Sequence, residues 1–467
     1  MKILQVTTST GAGGANKIAG ALHEGMRARG HTSCMAVGRG RSADPDVFQI
    51  PTGIRRTAYR RVMDAAGRAI EPAVGKVPGA RPVQEVLRAR SPLGFARVRL
   101  GGREYFDYPG SRKILQLPPT TPDLVHGHNL HNRYFDLRYL AELSHTVPVL
   151  LTLHDEWMFT GHCAYGMGCE RWRIGCGSCP DLLIYPSVWR DGTHENWLAK
   201  EEIYSRSRLY VSAPSAWLLD RARQSMLAAG TADWRRIPNG VDQQVFRPGD
   251  QAAARQLLGL PREPLILLFA ANSVETNRFK DYATVAAAAE RVARGVGDRE
   301  LLLVALGSDA REERLGNGVI RFVPFEREPI RVAAYYQAAD VYLHAANADT
   351  FPTTILEALS AGRPVVATAV GGIEEQVTSL ADAAGSWAGP SATGASATGI
   401  LVNAHDAVGM AAATSFLLQD DDVRTQMGQN AAAAAVPRFS VETQLDATLA
   451  WYEHSIADWH RWRWETA

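Results

Sequence analysis

Residues 349–357 read DTFPTTILE and combine two carboxylates with small hydroxyl residues at a predicted helix start. Pro352 suits the first turn of a helix, because its missing N–H costs nothing there. The backbone amides of Thr353 and Thr354 then lack helical partners, and such a helix N-terminus favours a diphosphate. Glu357 follows about one helical turn later, and its two oxygens match the two hydroxyls of a ribose. The pattern therefore predicts a site for a nucleoside diphosphate.

Turn residues shape the segment that follows this helix. The helix is expected to end at Gly362, and Pro364 precedes the next strand. Gly371 and Gly372 are expected to let the backbone approach the ligand, because glycine has no Cβ. Two acidic residues at 374 and 375 complete the segment.

Four of the five cysteines lie within 17 residues: Cys163, Cys169, Cys176 and Cys179. Their spacing includes a Cys-x-x-Cys pair and predicts a structural zinc site of four thiolates. Free thiols in a loop are an alternative, and two disulfides are another, although disulfides are rare in cytoplasmic enzymes. No catalytic metal is expected, because four thiolates leave no open position for a substrate.

The elements that position these residues alternate between strand and helix. A buried strand at 2–8 leads into a glycine-rich turn through Gly13 and Gly14 and then into a helix that ends at Gly30. Further strands are predicted at 32–37, 123–126, 147–153 and 209–212. After a turn at 238–240 and a proline-spaced linker, the pattern restarts with strands at 265–270, 301–306, 319–323, 341–344, 365–368 and 400–402. Such alternation predicts an α/β protein with two doubly wound parallel sheets.

The string from Asp349 through Glu357 to GGIEE at 371–375 resembles the E-x7-E region of the retaining glycosyltransferases of family 4. Asp349 stands where most members have the first Glu. Residues 154–180, which carry the cysteines, resemble the colanic-acid-type subgroup found in exopolysaccharide clusters. Other matches extend along the chain: GGA at 13–15, VHGH at 125–128, IPNGVD at 237–242, AAD at 338–340 and TGILV at 398–402.

The resemblance implies the GT-B fold, in which two Rossmann-like domains face a cleft and the final helix packs back on the first domain. The length of 467 residues agrees, since single cores stop growing at roughly 250–300 residues. An acceptor-binding domain is expected at 1–240, with a basic insertion at 55–113 and a cysteine loop at 154–200. A nucleotide-sugar domain is expected at 241–440 and the returning helix at 441–467. Ligands of such folds bind at the carboxyl ends of the strands, where the active site is expected.

The resemblance also implies roles for individual residues toward a nucleotide-diphosphate sugar. The second acid of the motif, Glu357, binds ribose, and Asp349 contacts the sugar. His128 and His154 end two predicted strands and are expected, with Asp349, to line the reaction centre, whereas His126 is expected to be structural. The candidate donor-binding residues are Gly13, Gly14, Arg278, Lys280, Phe351, Thr353, Thr354 and Glu357.

In this family the acceptor attacks the face from which the diphosphate departs, and the leaving oxygen takes the acceptor's proton. No protein nucleophile is then needed, and the protein stabilises the charge that grows on the diphosphate. Lys280, Arg278 and the amides of the predicted helix start are expected to do so. A covalent route through Asp349 is the alternative. The glycine that usually follows the lysine is Asp281 here.

Charge and hydropathy limit the partners. The net charge is +1, which gives no argument for nucleic acid, but residues 55–113 hold 14 Lys or Arg against 5 Asp or Glu, 14 − 5 = +9. This basic stretch predicts an anionic membrane surface or an anionic acceptor such as a lipid-linked glycan, with a solvated helical face as the alternative. The tryptophan-rich tail suits lipid or burial equally. No signal peptide or membrane span is visible, which predicts a cytoplasmic enzyme, at the inner face of the membrane if lipid is bound.

Other functions are disfavoured by particular residues. A dinucleotide-dependent oxidoreductase would need a full G-x-G-x-x-G turn and an acid after the second strand, and residues 37–39 read VGR instead. A GT-B phosphorylase or epimerase remains an alternative, although no lysine motif for pyridoxal phosphate stands out. A catalytically weak nucleotide-sugar-binding protein is the other alternative, because Asp349 departs from Glu.

Overall fold

The computed structural model describes two compact units of the chain. The first comprises Met1–Ala213, Leu219–Arg235 and Ala450–Ala467, and the second comprises Pro214–Leu218 and Arg236–Leu449. Within them, the described residues are 1–11, 13–40, 42–51, 58–74, 77, 79–88, 98, 100–104, 106–380 and 396–466.

The first unit is built on a seven-stranded sheet with the order β3-β2-β1-β4-β5-β6-β7. Strands β1 to β6 are joined by parallel ladders. The strands are β1 (Lys2–Ser9), β2 (Thr32–Arg39), β3 (Val47–Gln49), β4 (Leu124–His128), β5 (Val149–Thr152), β6 (Leu209–Ala213) and β7 (Thr231–Arg236).

The second unit repeats this plan with the strand order β10-β11-β9-β8-β12-β13-β14. All its ladders are parallel except the short antiparallel pairing of β10 with β11. The strands are β8 (Leu265–Ala270), β9 (Leu301–Leu306), β10 (Glu313–Leu315), β11 (Gly318–Val323), β12 (Val341–His344), β13 (Val365–Thr368) and β14 (Gly399–Val402).

Helices connect most of the parallel strands in both units, as the alternating sequence pattern predicts, and three further helices follow β14. They are α1 (Gly14–Ala28), α2 (Ala58–Ala69), α3 (Ala80–Arg88), α4 (Tyr139–Leu143), α5 (Thr193–Ser205), α6 (Ala216–Arg223), α7 (Gln251–Leu258), α8 (Tyr282–Gly295), α9 (Pro329–Ala338), α10 (Thr353–Ser360), α11 (Ala407–Gln419), α12 (Asp421–Phe439) and α13 (Val441–Thr466).

Strand β8 shows why both faces of the second sheet are covered. Its six residues are all apolar and all buried. Ile266 and Leu268 belong to one hydrophobic cluster, whereas Leu267 and Phe269 belong to another. Because alternate side chains of a strand point to opposite faces, a continuous apolar run needs a core on each side. The predicted doubly wound sheet is confirmed.

The final helix, α13, packs on the first unit through its last two-thirds. The Tyr452 hydroxyl accepts a hydrogen bond from Gln5 at 3.0 Å, and the Trp459 indole donates to the Ser144 carbonyl at 2.7 Å. Both aromatic side chains are buried, whereas Trp464 is 85% exposed. The expected return of the final helix to the first domain is confirmed, and burial accounts for part of the tryptophan-rich tail.

The basic stretch at 55–113 is described in part. Helices α2 and α3 lie in it, and the Gln84 side chain on α3 donates to the Gly67 carbonyl on α2 at 3.2 Å. Arg55, Arg56 and most of the Ala-, Gly- and Ser-rich segment predicted as a loop at 381–398 lie outside the described residues. Among the helices that the structure describes, none has the length and apolar character needed to cross a membrane.

Candidate active site

Two loops that follow neighbouring strands of the second unit are joined by backbone hydrogen bonds. Asn347 N–H donates to the Phe279 carbonyl at 2.9 Å, and Asp281 N–H donates to the Ala345 carbonyl at 3.1 Å. One loop follows β8 and the other follows β12, and these strands are adjacent in the sheet. The expected meeting of loops at the carboxyl ends of parallel strands is thus observed.

This junction buries an ion pair between Lys280 and Asp349. The Lys280 Nζ lies 2.5 Å from Asp349 Oδ2, and both side chains are about nine-tenths buried. The Lys280 Nζ also lies 3.0 Å from His344 Nε2, whose other nitrogen is 3.1 Å from the Tyr342 hydroxyl. Three of these four side chains come from β12 or the loop after it. The carboxyl end of β12 therefore determines where the cluster lies.

The ion pair sets the charges of its members. Burial raises the pKa of Asp349, but the Lys280 charge and the contact with His344 outweigh it, so the pKa falls well below its usual range. Burial and then the Lys280 charge lower the pKa of His344 to about 4. At neutral pH, Asp349 is therefore a carboxylate and His344 is neutral.

Helix α10 begins shortly after Asp349 in the chain. Pro352 is the N-cap residue, with φ −63° and ψ 123°, so the helix begins at Thr353 and not at Pro352. This corrects the expectation that Pro352 lies in the first turn; an extended cap suits proline equally, because the ring fixes φ near −65°. The amides of Thr353 and Thr354 occupy the first two helical positions, as expected.

Glu357 is buried on the same helix and held by a tyrosine. Glu357 is only 6% exposed, and the Tyr336 hydroxyl donates a hydrogen bond to Glu357 Oε2 at 2.7 Å. Tyr336 is itself fully buried on α9. The tyrosine therefore fixes the direction of the carboxylate that the motif assigns to ribose.

The glycine pair at 371–372 is required by packing contacts that the sequence did not indicate. A Cβ on Gly371 would lie 2.0 Å from the Asp349 carbonyl oxygen, and a Cβ on Gly372 would lie 1.8 Å from that of Thr350. Gly371 also has φ +60°. The pair thus lets its own backbone pack against the loop of Asp349. The expected approach of this backbone to a ligand stays a prediction.

In the first unit, the glycine-rich turn lies between β1 and α1. Gly13 has φ 136°, a conformation that favours glycine, and Gly14 is the first helical residue. A Cβ on Gly14 would meet no atom within 4 Å, so space remains beside this helix start. Asn16 supports the turn through bonds to Thr7 at 2.8 Å and Ser9 at 3.0 Å.

His128 and His154 are brought together at the ends of β4 and β5. Their rings stack with centroids 5.3 Å apart, and His128 Nδ1 lies 3.0 Å from His154 Nε2. His128 is fully buried, and its Nε2 lies 3.0 Å from Gln5 Oε1, whereas His154 is partly exposed. The predicted pair of histidines therefore shares one hydrogen-bonded cluster.

His126 is buried and has a partner at each nitrogen, as expected of a structural histidine. Its Nδ1 lies 2.7 Å from the Tyr452 hydroxyl, and its Nε2 lies 2.7 Å from the Thr152 hydroxyl. Burial lowers the pKa of His126 to about 3, which keeps the ring neutral.

The sequence interpretation missed a second acidic and basic pair in this region. His131 Nε2 lies 2.9 Å from Asp155 Oδ2, and both residues are buried. Burial lowers the pKa of His131, but the Asp155 charge and hydrogen bond raise it by more, so the net shift is upward. The sequence did carry a signal for this pair, because each of the two residues lies within three positions of a predicted site histidine.

The four clustered cysteines line one small pocket together with His162. No group of three or more His, Cys, Asp or Glu side chains in the described part of the chain is arranged to hold a metal ion. Burial raises the pKa of Cys163 to about 12 and that of Cys176 to about 11, so both are protonated thiols. Zinc binding would require the side chains to turn towards a common point and lose protons. The zinc site stays a prediction.

A profile of the family described as glycosyl transferases group 1 matches residues 264–420. The chain contains a group 1 glycosyltransferase domain. The matched region includes Asp349 and the candidate donor-binding residues of the second unit, which are Arg278, Lys280, Phe351, Thr353, Thr354 and Glu357.

Similar proteins extend the match beyond this group 1 domain. WcaC of Escherichia coli (strain K12), named for colanic acid biosynthesis as a glycosyl transferase, is 25% identical over 380 residues, covering 79% of this chain and 83% of WcaC. D-inositol 3-phosphate glycosyltransferase 2 of Catenulispora acidiphila is 35% identical over 234 residues, covering 47% of this chain and 50% of that protein. HepE of Anabaena, solved with UDP-glucose, has a TM-score of 0.58 at 18% identity and covers 98% of this chain and 100% of HepE. The GT-B fold and the colanic-acid-type resemblance are confirmed.

Three residues of the group 1 domain have surroundings that the motif alone does not indicate. Asp281, where the family usually has glycine, caps α8 by accepting from the Thr284 amide at 3.1 Å and the Thr284 hydroxyl at 2.6 Å. Phe351 is buried in the core and its ring packs on Phe439 at 5.9 Å. Arg278 is exposed, and its carbonyl accepts from the Asn347 side chain at 3.0 Å. The donor-binding roles of Phe351 and Arg278 stay predictions.

The pair of His131 and Asp155 should make stability depend on pH. The raised folded-state pKa means that its contribution is complete below the unfolded value of about 6.5 and is lost as pH rises through the folded-state pKa. We expect His131→Gln to lower the free energy of unfolding by about 1.5–3 kcal/mol at pH 5.5 and by less at pH 9. Urea denaturation at each pH measures this.

Exposed His145 provides the control, because His145→Gln should change the free energy of unfolding by no more than about 0.5 kcal/mol at either pH. A loss in His131→Gln that is equal at both pH values would contradict the assignment of the charged pair.

If the four cysteines bind structural zinc, the purified protein should contain about one zinc ion per chain. Elemental analysis should then show loss of zinc in Cys176→Ser, whereas Cys34→Ala, at the buried cysteine of β2, should retain it. Protein that is free of zinc after purification without chelators, and that takes up none when zinc is added, would refute the site.

Proposed function

We propose that this protein is a retaining glycosyltransferase that moves a sugar from a nucleotide-diphosphate sugar to a hydroxyl group of an acceptor. The observation that carries the proposal is the buried cluster of Lys280 and Asp349, in the same group 1 domain as the N-terminus of α10 and Glu357. A cation, helix amides and an oriented carboxylate are the groups that a diphosphate and a ribose require.

The diphosphate is assigned to Lys280 and to the amides of Thr353 and Thr354. Charge grows on the departing diphosphate during transfer, and preorganised donors that face this charge lower the barrier. Lys280 is preorganised because Asp349 and His344 hold its ammonium group at 2.5 and 3.0 Å. Arg278 is a second candidate for the same charge, from an exposed position.

Asp349 is assigned to the transferred sugar as a hydrogen-bond acceptor and not as a nucleophile. Its carboxylate is paired with Lys280, and the low pKa of Asp349 keeps it ionised. A buried carboxylate that is paired with a cation is a weaker nucleophile than a buried carboxylate without one. The paired carboxylate still accepts hydrogen bonds from sugar hydroxyls. This favours same-face attack with proton transfer to the leaving diphosphate over a covalent intermediate.

Glu357 is assigned to the ribose, and Tyr336 orients it. In the first unit, His128 and His154 are assigned to the transferred sugar, and the open turn at Gly13 and Gly14 to the donor. HepE was solved with UDP-glucose, so this is the first donor to test.

The acceptor is proposed to be a sugar or lipid-linked glycan in polysaccharide or glycoconjugate synthesis. The name of WcaC supports the polysaccharide assignment. The net charge of +9 over residues 55–113 supports an anionic acceptor or an anionic membrane surface at the cytoplasmic face.

The function can be tested with a panel of UDP-, GDP- and ADP-sugars, in which hydrolysis and transfer are measured with and without added glycans. We expect turnover with at least one donor, and a product whose anomeric configuration, determined by NMR, matches that of the donor. Inversion would contradict the retaining mechanism, and an epimerised nucleotide sugar would identify an epimerase. Binding without turnover across the panel would favour the weak sugar-binding alternative.

Glu357→Gln should weaken binding of the nucleoside diphosphate about 10- to 100-fold, because hydrogen bonds to a charged group contribute about 1.5–3 kcal/mol. Isothermal titration with UDP, GDP and ADP measures the effect. Glu374→Gln, at an exposed acid in the turn after β13, should leave the affinity unchanged. Equal affinities of wild type and Glu357→Gln would show that the ribose assignment is wrong.

A further inference from the structure

His344 is a polar residue in the interior of the second sheet. It is the last residue of β12, it is fully buried, and its strand neighbours Val341 and Leu343 are apolar. Burying a polar side chain costs free energy unless hydrogen bonds compensate for the lost water. The partners of this ring therefore indicate what the histidine does.

Both ring nitrogens of His344 have partners. Nδ1 lies 3.1 Å from the Tyr342 hydroxyl, and Nε2 lies 3.0 Å from Lys280 Nζ. Nε2 also lies 3.8 Å from Asp349 Oδ2, which is beyond hydrogen-bond distance and is the oxygen that Lys280 contacts. Tyr342 and His344 are two positions apart on one strand, so their side chains point to the same face and the hydroxyl supports the ring.

The contact with Lys280 determines where the ring carries its proton. An ammonium group has three N–H donors and no acceptor, so Nε2 must offer a lone pair. A neutral imidazole has one N–H, which then lies on Nδ1 and donates to the Tyr342 oxygen. Burial, and after it the Lys280 charge, lower the pKa of His344 to about 4 against the opposing effect of Asp349, so the ring is neutral at physiological pH.

We propose that His344 is a positioning residue that takes up one N–H of Lys280 and thereby directs another towards the diphosphate of the donor. The inference rests on the proposed role of Lys280. His344 is fully buried and contacts no substrate in this proposal. It acts through the ammonium group.

The three N–H groups of Lys280 divide between the protein and the ligand. One donates to Asp349 Oδ2 and one to His344 Nε2. Among the residues that the structure describes, no other acceptor lies within hydrogen-bond distance of Nζ. Because the group is tetrahedral, two fixed N–H bonds leave one direction for the third. The Lys280 side chain is 14% exposed, so a phosphate oxygen can reach that N–H.

Without His344, the ammonium group keeps only its contact with Asp349. The N–H that faced the ring then lacks an acceptor in a buried site, which is unfavourable, and the group should turn. Binding of a diphosphate must then include the cost of ordering the group again. A diphosphate should consequently bind more weakly, whereas a nucleoside, which has no phosphate, should be unaffected.

The first test compares the wild type with His344→Leu, which removes the acceptor, and with His344→Gln, whose amide oxygen can stand near the place of Nε2. The probe is whichever of UDP, GDP and ADP binds the wild type most tightly. We expect His344→Leu to weaken its binding about tenfold and His344→Gln to weaken it no more than about threefold. Isothermal titration measures the diphosphate, and displacement of the diphosphate measures the matching nucleoside, which should bind all three proteins equally.

Thr414→Val is the matched control for the loss of a buried polar group in the second unit. The Thr414 hydroxyl is buried and donates to the Met410 carbonyl at 2.7 Å within α11. Its removal should leave both affinities unchanged. Thermal unfolding of each variant establishes that it is folded.

The second test measures the proton position directly and does not depend on the fold of His344→Leu. The full chain is labelled with ¹⁵N-histidine, and long-range ¹H–¹⁵N correlation spectra identify the protonated nitrogen of each ring. The signals that disappear in His344→Gln belong to His344. We expect the Nδ1–H form for this ring in the wild type.

Three results would overturn the proposal. One is a folded His344→Leu protein with unchanged diphosphate affinity, and another is an equal loss of affinity for the nucleoside. The third is a wild-type His344 that carries its proton on Nε2. If none of the three diphosphates binds, the proposed function fails, while the spectra still decide whether His344 accepts from Lys280.

Discussion

The buried ion pair between Lys280 and Asp349 is the interaction on which the candidate donor site depends. A charged pair at this depth is stable only where its members are close and well oriented, since desolvation is costly for each. Backbone bonds between the loops after β8 and β12 provide that orientation, and the glycine pair after β13 allows a third loop to pack against Asp349. Three consecutive strand ends thus serve one ammonium group.

The strands that the sequence predicted and those that it missed differ in their place in the sheets. Strands covered on both faces read as continuous apolar runs, as β8 and β9 do, and their positions were predicted closely. The missed strands β3, β7 and β10 all lie at sheet edges. An edge strand has one neighbour and needs little apolar surface, so TADWRR in β7 carries no periodic signal.

The candidate site was predictable only at the level of motif residues. His128, His154 and Asp349 end or follow strands, and Glu357 lies one turn into α10, and the pattern marks all of these positions. It does not mark their partners, because a buried hydrogen bond depends on which distant side chain reaches a given point. Gln5 and Tyr452 are 447 positions apart, and nothing local to either indicates the other. The packing contacts of the glycines at 371–372 were not predictable for the same reason, since the carbonyls that leave no room for a Cβ lie on another loop.

The packing of the final helix on the first unit has a consequence for synthesis on the ribosome. Residues 450–467 belong to the unit that begins the chain, and Tyr452 completes the hydrogen bonds of Gln5 and His126. While the chain is being translated, domains tend to fold as they emerge, but this one lacks buried partners until its last segment is made. The nascent first unit must wait through the translation of the whole second unit, exposed to chaperones, before its interior polar groups are satisfied.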